Sequence, residues 1–222
     1  SAASDVYKRQ GLGSDALAMS ALGIAVTAVE RDEVTASLAA YNLAAFDQTV
    51  VIKADATRLD LSAIDGVFLD PARRTSGHSN TSRVSSDDYS PSLEFAFGLA
   101  TDFPTGIKFG PGLDRDLIPD NCEAQWVSVN GDLVEMGLWF GPLARPDIKR
   151  AALLLDADGM HEMTGSSDAP DEAVGPLSRY LYEPDGAVIR ARLIGDLARQ
   201  IGAHPIADHI AYLSSDSLTQ TP

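Results

Sequence analysis

The sequence predicts an α/β protein in which a mostly parallel sheet is covered by helices and closed by an antiparallel hairpin. Three observations predict this fold class. Helical segments alternate with short, almost wholly apolar strands from Gly11 to Phe109. Asn130-Gly131 then separates two alternating segments, which is typical of a type I′ hairpin. From Tyr180 onward, a helical stripe and a short apolar segment predict a small α+β module.

The composition is that of a globular protein. The chain has 222 residues, of which 45% are hydrophobic and 22% are charged. Its 17 basic and 32 acidic residues give a formal net charge of −15, and an acidic surface repels the phosphates of nucleic acids. The composition therefore argues against nonspecific nucleic-acid binding by the chain as a whole.

Cysteine, histidine and apolar runs exclude several further classes. The single cysteine, Cys122, excludes an internal disulfide and a cysteine zinc site, and it fits a cytoplasmic location. We expect no metal site, because the four histidines are scattered along the chain. We expect no membrane span, because no apolar run reaches about 18 residues.

Residues 11–109 alternate regularly between helix and strand. Residues 15–22 are rich in Ala, Leu and Met and predict the first helix, and Glu33–Leu43 and Pro91–Thr101 predict two more. The first ten residues have no clear periodicity, and we interpret them as a non-native junction. The strands are predicted at Ala25–Glu30, Val50–Ala54, Gly66–Leu69 and Gly106–Phe109.

The pattern changes after Phe109. Gln125–Asn130 and Asp132–Trp139 predict the two strands of the hairpin, and Ala151–Leu155 predicts another strand. Residues 157–178 are rich in Gly, Ser, Asp and Pro and predict a linker. The C-terminal module is predicted at residues 179–216, with a helix at Ala187–Ile201 and a strand at Ile206–Leu213.

Three groups of residues follow the first strands in positions that suit a nucleotide-like ligand. Gly11 and Gly13 form a turn that opens a helix at Asp15, and such a turn lets a ligand approach the backbone. Glu30 ends the next strand, where a carboxylate can accept two hydrogen bonds from a ribose diol. Asp55 and Ala56 follow the strand Val50–Ala54, where an acid and a backbone amide can recognise adenine.

A fourth group, Asp70-Pro71-Ala72-Arg73-Arg74, directly follows the apolar strand Gly66–Leu69. Ligands of open α/β sheets lie outside the carboxyl ends of the strands, so these residues are expected in the site. Asp70 can hold a substrate amine or part of a cofactor. Arg73 and Arg74 can grip a phosphate with two hydrogen bonds or stack on a base.

These four groups, in this order on successive strands, resemble the motifs of class I S-adenosylmethionine-dependent methyltransferases. The resemblance implies a Rossmann-like sheet and S-adenosyl-L-methionine as the cofactor. It assigns the cofactor to Gly11, Gly13, Asp15, Glu30, Asp55, Ala56 and Asp70.

A narrower resemblance covers roughly residues 11–216. The segments GLGSDALAM, AVERDE with Asn42 after it, VFLDPARR and YLYEPDGAVIRA are similar to a bacterial group of methyltransferases that carry a THUMP-like domain. The resemblance implies a methyltransferase domain at residues 11–156, a ferredoxin-like module at residues 179–216 and a THUMP-like domain beyond the C terminus. Because THUMP domains generally bind RNA, it also implies RNA, an rRNA or tRNA base, as substrate and partner.

The resemblance assigns catalysis to the Asp-Pro motif. Asp70 would orient an exocyclic amine or take its proton, with the Pro71 carbonyl as a second acceptor and Arg73 and Arg74 on the substrate. Arg73 stands where amino-group methyltransferases often place an aromatic residue. The motif is also similar to the Asp-Pro-Pro-Arg of uridine C5 methyltransferases, which need a cysteine nucleophile. Cys122 lies in no matching motif, and we expect it to be structural.

One expected residue is missing from the first motif. Methyltransferases of this class have an acid four residues before the first glycine, and here Tyr7 stands four residues before Gly11. The carboxylate that would hold the amino group of the cofactor is therefore not at its usual place.

Two other functions explain part of the pattern. An NAD-dependent oxidoreductase would explain the glycine turn and Glu30, but it does not call for Asp-Pro-Ala-Arg-Arg after the fourth strand. A non-catalytic RNA-binding protein with a degenerate cofactor pocket is the alternative outside enzymes.

Overall fold

The computed structural model describes residues 4–8, 11–73 and 89–221, with the backbone alone at residues 4–8 and 72–73. The chain divides into two compact units. The first unit comprises Ser1–Phe109, Asp114–Leu117 and Trp139–Leu143, and the second comprises Gly110–Leu113, Ile118–Leu138 and Ala144–Pro222.

The first unit is built on parallel strands in the order β7-β4-β1-β2-β3. The predicted alternation of helices and strands is confirmed here. Its strands are β1 (Ser4–Lys8), β2 (Ala25–Glu30), β3 (Val50–Lys53), β4 (Gly66–Leu69) and β7 (Thr105–Phe109), with the short antiparallel pair β5 (Ala72–Arg73) and β6 (Tyr89–Ser90). Its helices are α1 (Ser14–Ala21), α2 (Glu33–Leu43) and α3 (Leu93–Asp102).

The backbone of β1 is central in this unit, because it pairs with both β2 and β4. The chain builds outward from β1 through β2 to β3 and then returns to the other side of β1 at β4. Ligands of open α/β sheets bind at such a reversal, beyond the carboxyl ends of the strands. The interpretation of residues 1–10 as a non-native junction stays a prediction.

Capping residues and a small apolar core fix the helices of the first unit. The Asp32 carboxylate accepts the Thr35 backbone N–H at 2.8 Å and so begins α2. The Ser92 hydroxyl accepts the Phe95 N–H at 3.3 Å and begins α3. The buried cluster between α1, α2 and β2 consists of Ala16, Val26, Ala28 and Leu43.

The second unit contains a mixed sheet and a smaller antiparallel sheet. β10 is parallel to β8 and antiparallel to β11, and β8 neighbours β9. Asn130 and Gly131 join β8 to β9 with φ values of 51° and 83°, as a type I′ hairpin requires. The strands of this unit are β8 (Cys122–Val129), β9 (Asp132–Phe140, in this unit as far as Leu138), β10 (Arg150–Asp156) and β11 (Gly159–Gly165).

The smaller sheet has the strand order β12-β14-β13, with both pairs antiparallel. Two short helices lie between its first two strands in the sequence. Its elements are β12 (Tyr180–Tyr182), α4 (Gly186–Arg190), α5 (Ile194–Ile201), β13 (His204–Pro205) and β14 (Leu213–Ser215). The assignment of residues 179–216 as a ferredoxin-like module stays a prediction.

Three predictions for the second unit are wrong in part. Residues 157–178 are not all linker, because the Asp156 carboxylate accepts the N–H groups of Asp158 and Gly159 and turns the chain into β11. The predicted helix at Ala187–Ile201 is two helices, because Arg192 between them has a φ of 61°. The predicted strand at Ile206–Leu213 is mostly loop, and β13 and β14 lie on either side of it.

Within the described ranges, no helix is both long enough and apolar enough to cross a lipid bilayer.

Candidate functional site

The glycine turn lies between β1 and α1, where the strand order of the first unit reverses. Gly11 and Gly13 have φ values of 51° and 93°, which L side chains rarely adopt. A Cβ on Gly13 would also lie 3.2 Å from Leu43 Cδ1. The Asn42 side chain donates a hydrogen bond to the Leu12 carbonyl at 2.8 Å. Helix α2 therefore holds the turn in place, which is a role that the sequence pattern did not assign to Asn42.

Glu30 ends β2 and is buried, with only 6% of the residue exposed. Its Oε1 accepts the Asp32 backbone N–H at 2.9 Å, which fixes the direction of the side chain. A fixed carboxylate at this place in the sheet suits the ribose diol of a nucleoside cofactor.

Asp55 begins a short 3₁₀ turn, Ala56–Arg58, after β3. Its Oδ1 accepts both the backbone N–H and the hydroxyl of Thr57, at 3.0 and 2.7 Å. Ala56 is buried. Asp55 thus has a structural task in this turn, and the recognition of adenine by Asp55 and Ala56 stays a prediction.

Three charged side chains form a cluster at the carboxyl ends of β4 and β7. Lys108 Nζ in β7 lies 2.8 Å from Asp15 Oδ2, in the first turn of α1, and 3.5 Å from Asp70 Oδ2, just after β4. The three side chains are 23%, 34% and 39% exposed, so they are partly screened from water. We call this group the Asp15–Lys108–Asp70 cluster.

The cluster brings together two residues that the sequence predicted, and it adds one that the sequence did not. Parallel pairing of β4 with β7 puts Lys108 beside the Asp-Pro motif, although 38 positions separate Lys108 from Asp70 in the chain. The available signal was a lysine inside the otherwise apolar strand Thr105–Phe109.

The rest of the Asp-Pro-Ala-Arg-Arg segment is described only in part. Pro71 is buried, directly beyond Asp70. The side chain of Arg73 and the whole of Arg74 lie outside the described residues. Their roles on the substrate therefore stay predictions.

Cys122 begins β8 as a buried thiol in the second unit. Its Sγ donates a hydrogen bond to the Pro119 carbonyl at 3.1 Å. Burial raises the pKa of the thiol to about 11, so that Cys122 is protonated at neutral pH. A protonated, buried thiol is a poor nucleophile, which agrees with the structural role expected for it.

Within residues 4–8, 11–73 and 89–221, no group of three or more His, Cys, Asp or Glu side chains is arranged to hold a metal ion. The donors of the candidate site instead suit an organic cofactor. A glycine turn at a helix N-terminus, a buried acid at the end of β2 and a mixed-charge cluster after β4 fit a nucleoside that carries both charged and polar groups.

The chain is similar in sequence to proteins described as methyltransferases. Two proteins from strains of Mycobacterium tuberculosis, each described as an uncharacterised S-adenosylmethionine-dependent methyltransferase, are 30% identical to this chain over 216 residues. The match covers 93% of this chain but 57% of each relative, so the chain spans little more than half the length of these relatives. No protein-family model matches the chain.

The fold has a counterpart among solved structures. A protein from Porphyromonas gingivalis, described as a methyltransferase, superposes with a TM-score of 0.72 at 19% sequence identity. The superposition covers 99% of this chain and 59% of that protein. This protein therefore has a methyltransferase-like α/β fold, and its sequence is similar to those of two proteins described as S-adenosylmethionine-dependent methyltransferases.

Proposed function

We propose that this protein is an S-adenosylmethionine-dependent methyltransferase that acts on RNA. The observation that carries the proposal is the meeting of the glycine turn, Glu30 and Asp70 at the carboxyl ends of neighbouring parallel strands. The mycobacterial relatives support the same activity, because both are described as methyltransferases that depend on this cofactor.

The described residues fit a division of the site into a cofactor side and a substrate side. The glycine turn and Glu30 bind the nucleoside part of the cofactor, with the turn held by Asn42. S-adenosylmethionine, when bound, supplies the methyl group for an in-line displacement. The protein contributes mainly by positioning the accepting atom and excluding water.

Asp70 is the residue that we assign to the accepting base. Its carboxylate is partly shielded, and it can orient an amino group or accept its proton beside the rigid Pro71. A base in RNA has to be single-stranded or flipped out to reach such a site. Chemistry at uridine C5 is disfavoured, because it needs a thiolate and the only cysteine is buried and protonated.

RNA as the substrate rests on the resemblance of DPARR and YLYEPD to a THUMP-like group. The net charge of −15 makes nonspecific RNA capture by this chain unfavourable. We therefore assign RNA capture to a THUMP-like domain. In this chain, only Arg73 and Arg74 are proposed as positively charged contacts to the substrate.

Calorimetry tests the cofactor half of the proposal. We expect saturable binding of S-adenosylhomocysteine by this chain and no binding of NAD⁺. Binding of NAD⁺ alone would favour an oxidoreductase, and binding of neither would overturn the proposed activity.

Transfer of a labelled methyl group to total bacterial RNA, followed by nucleoside analysis, tests the substrate half. One of the mycobacterial relatives at its full length serves as the reference. We expect a single labelled nucleoside that disappears with Asp70→Ala. RNA binding that survives Asp70→Ala, without label transfer by the unsubstituted protein, would instead identify a non-catalytic RNA-binding protein.

A further inference from the structure

We propose that Lys108 binds the carboxylate of the methionyl end of the cofactor, while Asp15 binds its ammonium group and Asp70 helps to position the lysine. The inference rests on the proposed function and concerns the same site. It assigns a ligand-binding role to a lysine on β7 that no motif of the sequence singled out.

The cluster lies at the edge of the sheet where ligands of open α/β proteins bind. Asp15 lies in the first turn of α1, directly after the glycine turn, and Asp70 follows β4. The backbone of β1 lies between β2 and β4, so both acids belong to the place where the strand order reverses. Lys108 reaches them from β7, the neighbour of β4.

The charges of the cluster complement those of the methionyl end of the cofactor. The cluster holds two carboxylates and one ammonium group, with Lys108 Nζ 2.8 and 3.5 Å from one oxygen of each acid. The two acid oxygens therefore lie roughly 6 Å or less apart, on either side of the lysine. The cofactor end carries an ammonium and a carboxylate on one carbon, and an alternating set of charges can bind both at once.

The first motif lacks one expected acidic residue. Tyr7 stands where related enzymes place the acid that holds the amino group of the cofactor. The cluster supplies a carboxylate, Asp15 in the first turn of α1, that can take over that task. It also supplies a cation for the opposite group, which the acid of the usual motif would not.

Three probes separate this role from a purely structural one. S-adenosylhomocysteine has both charged groups, decarboxylated S-adenosylhomocysteine keeps only the amine, and 5′-methylthioadenosine has neither. We expect Lys108→Met to weaken the binding of S-adenosylhomocysteine by about 10- to 100-fold, which is the effect of losing a hydrogen bond between charged groups. Binding of the other two probes should change less than about threefold.

Asp15 should show the complementary pattern. Asp15→Asn should weaken the binding of both amine-bearing probes and leave that of 5′-methylthioadenosine unchanged. Lys149→Met is the matched control, because it removes the same charge from the second unit and should alter none of the three affinities. Lys108→Arg should retain part of the preference for the carboxylate, because it keeps the positive charge.

The outcomes decide between the alternatives. An equal loss for all three probes with Lys108→Met would show that the lysine only maintains the fold and would overturn the inference. Unchanged binding of S-adenosylhomocysteine would do the same. Should Lys108→Met fail to fold, the unsubstituted chain still tests the idea, since it should bind the decarboxylated probe about 10-fold or more weakly than S-adenosylhomocysteine. If the unsubstituted chain binds no S-adenosylhomocysteine at all, the proposed function itself fails.

Discussion

Glu30 combines burial with a hydrogen bond that fixes its direction. The carboxylate accepts the Asp32 N–H through Oε1, and a glutamine could keep this hydrogen bond through its amide oxygen. The substitution Glu30→Gln therefore removes the charge with little disturbance of the turn between β2 and α2. The variant therefore measures how much the charge of the carboxylate contributes to ligand binding.

We predict that Glu30→Gln weakens the binding of S-adenosylhomocysteine by about 10-fold, because the substitution weakens a charge-assisted hydrogen bond to the ribose. Calorimetry measures the affinity, and thermal unfolding checks that the fold is retained. Glu33→Gln is the control, since the Glu33 side chain is 75% exposed at the start of α2. Equal affinity for Glu30→Gln and the unsubstituted chain would restrict Glu30 to its role in the turn.

Cys122 gives a prediction for the dependence of stability on pH. Burial raises the pKa of the folded thiol from 9.0 to about 11, so the unfolded chain loses this proton first as the pH rises. The contribution of Cys122 to stability is therefore complete below pH 9 and is lost between pH 9 and pH 11. Two pKa units correspond to about 3 kcal/mol.

Urea denaturation of the unsubstituted chain and of Cys122→Ala at pH 8 and pH 11 measures this effect. The unsubstituted chain should lose about 2 to 3 kcal/mol more between the two pH values than the variant. Parallel losses would mean that the thiol ionises equally easily in the folded and unfolded states.

Strand β7, which carries Lys108, packs closely against two aromatic side chains at Gly106. A Cβ on Gly106 would lie 2.8 Å from Trp139 Cζ3 and 3.0 Å from Phe68 Cδ2. These two aromatic rings pack on each other with centroids 6.2 Å apart, so neither has room to move without disturbing the other. A larger residue at position 106 has to displace the rings.

We predict that Gly106→Ala destabilises the protein by about 1 to 3 kcal/mol in chemical denaturation. Gly98→Ala is the matched control within α3, where a new Cβ would meet no atom within 4 Å. It should stabilise the protein by about 0.5 to 1 kcal/mol, because alanine favours a helix over glycine. Two effects of the same sign would contradict the packing argument.

The three helices and the strands β2, β3, β4 and β7 of the first unit could be predicted because each has a local signal, whereas β1 was not predicted because residues 1–10 show no clear periodicity. Asp32 and Ser92 cap their helices, and the apolar runs of β2 and β4 are typical of buried parallel strands. The break at Arg192 could not be predicted, because its left-handed φ has no glycine or asparagine to indicate it. Strand β11 was missed because its polar sequence alternates only weakly and its partner β10 decides its conformation.

The residues of the candidate site also divide into those that the sequence could predict and those that it could not. Glu30 and Asp70 lie at the carboxyl ends of strands that the sequence indicates, so their convergence follows from a parallel sheet, whereas Gly13 follows β1, which the sequence did not predict. Lys108 and Asn42 act across elements, from β7 to α1 and from α2 to the glycine turn. Such contacts depend on the order of strands and the packing of helices, which no local pattern in the sequence contains.

At the scale of the whole molecule, the charge of −15 limits how the chain can meet RNA. The 32 acidic residues outnumber the 17 basic ones, so the average surface repels phosphates. RNA can approach only through a local cation, and the proposed pair is Arg73 and Arg74. The strength of that contact should appear in the response of binding to salt.

We predict that RNA binding by this chain is weak and only mildly dependent on salt. Each neutralised phosphate of a single strand adds about −0.7 to the slope of log affinity against log salt, so two arginines give about −1.4. Fluorescence anisotropy with a labelled single-stranded RNA measures the slope, and Arg73→Gln with Arg74→Gln should bring it close to zero. A slope steeper than about −3 would mean that other basic groups bind the RNA, and that its capture does not rest on these two arginines.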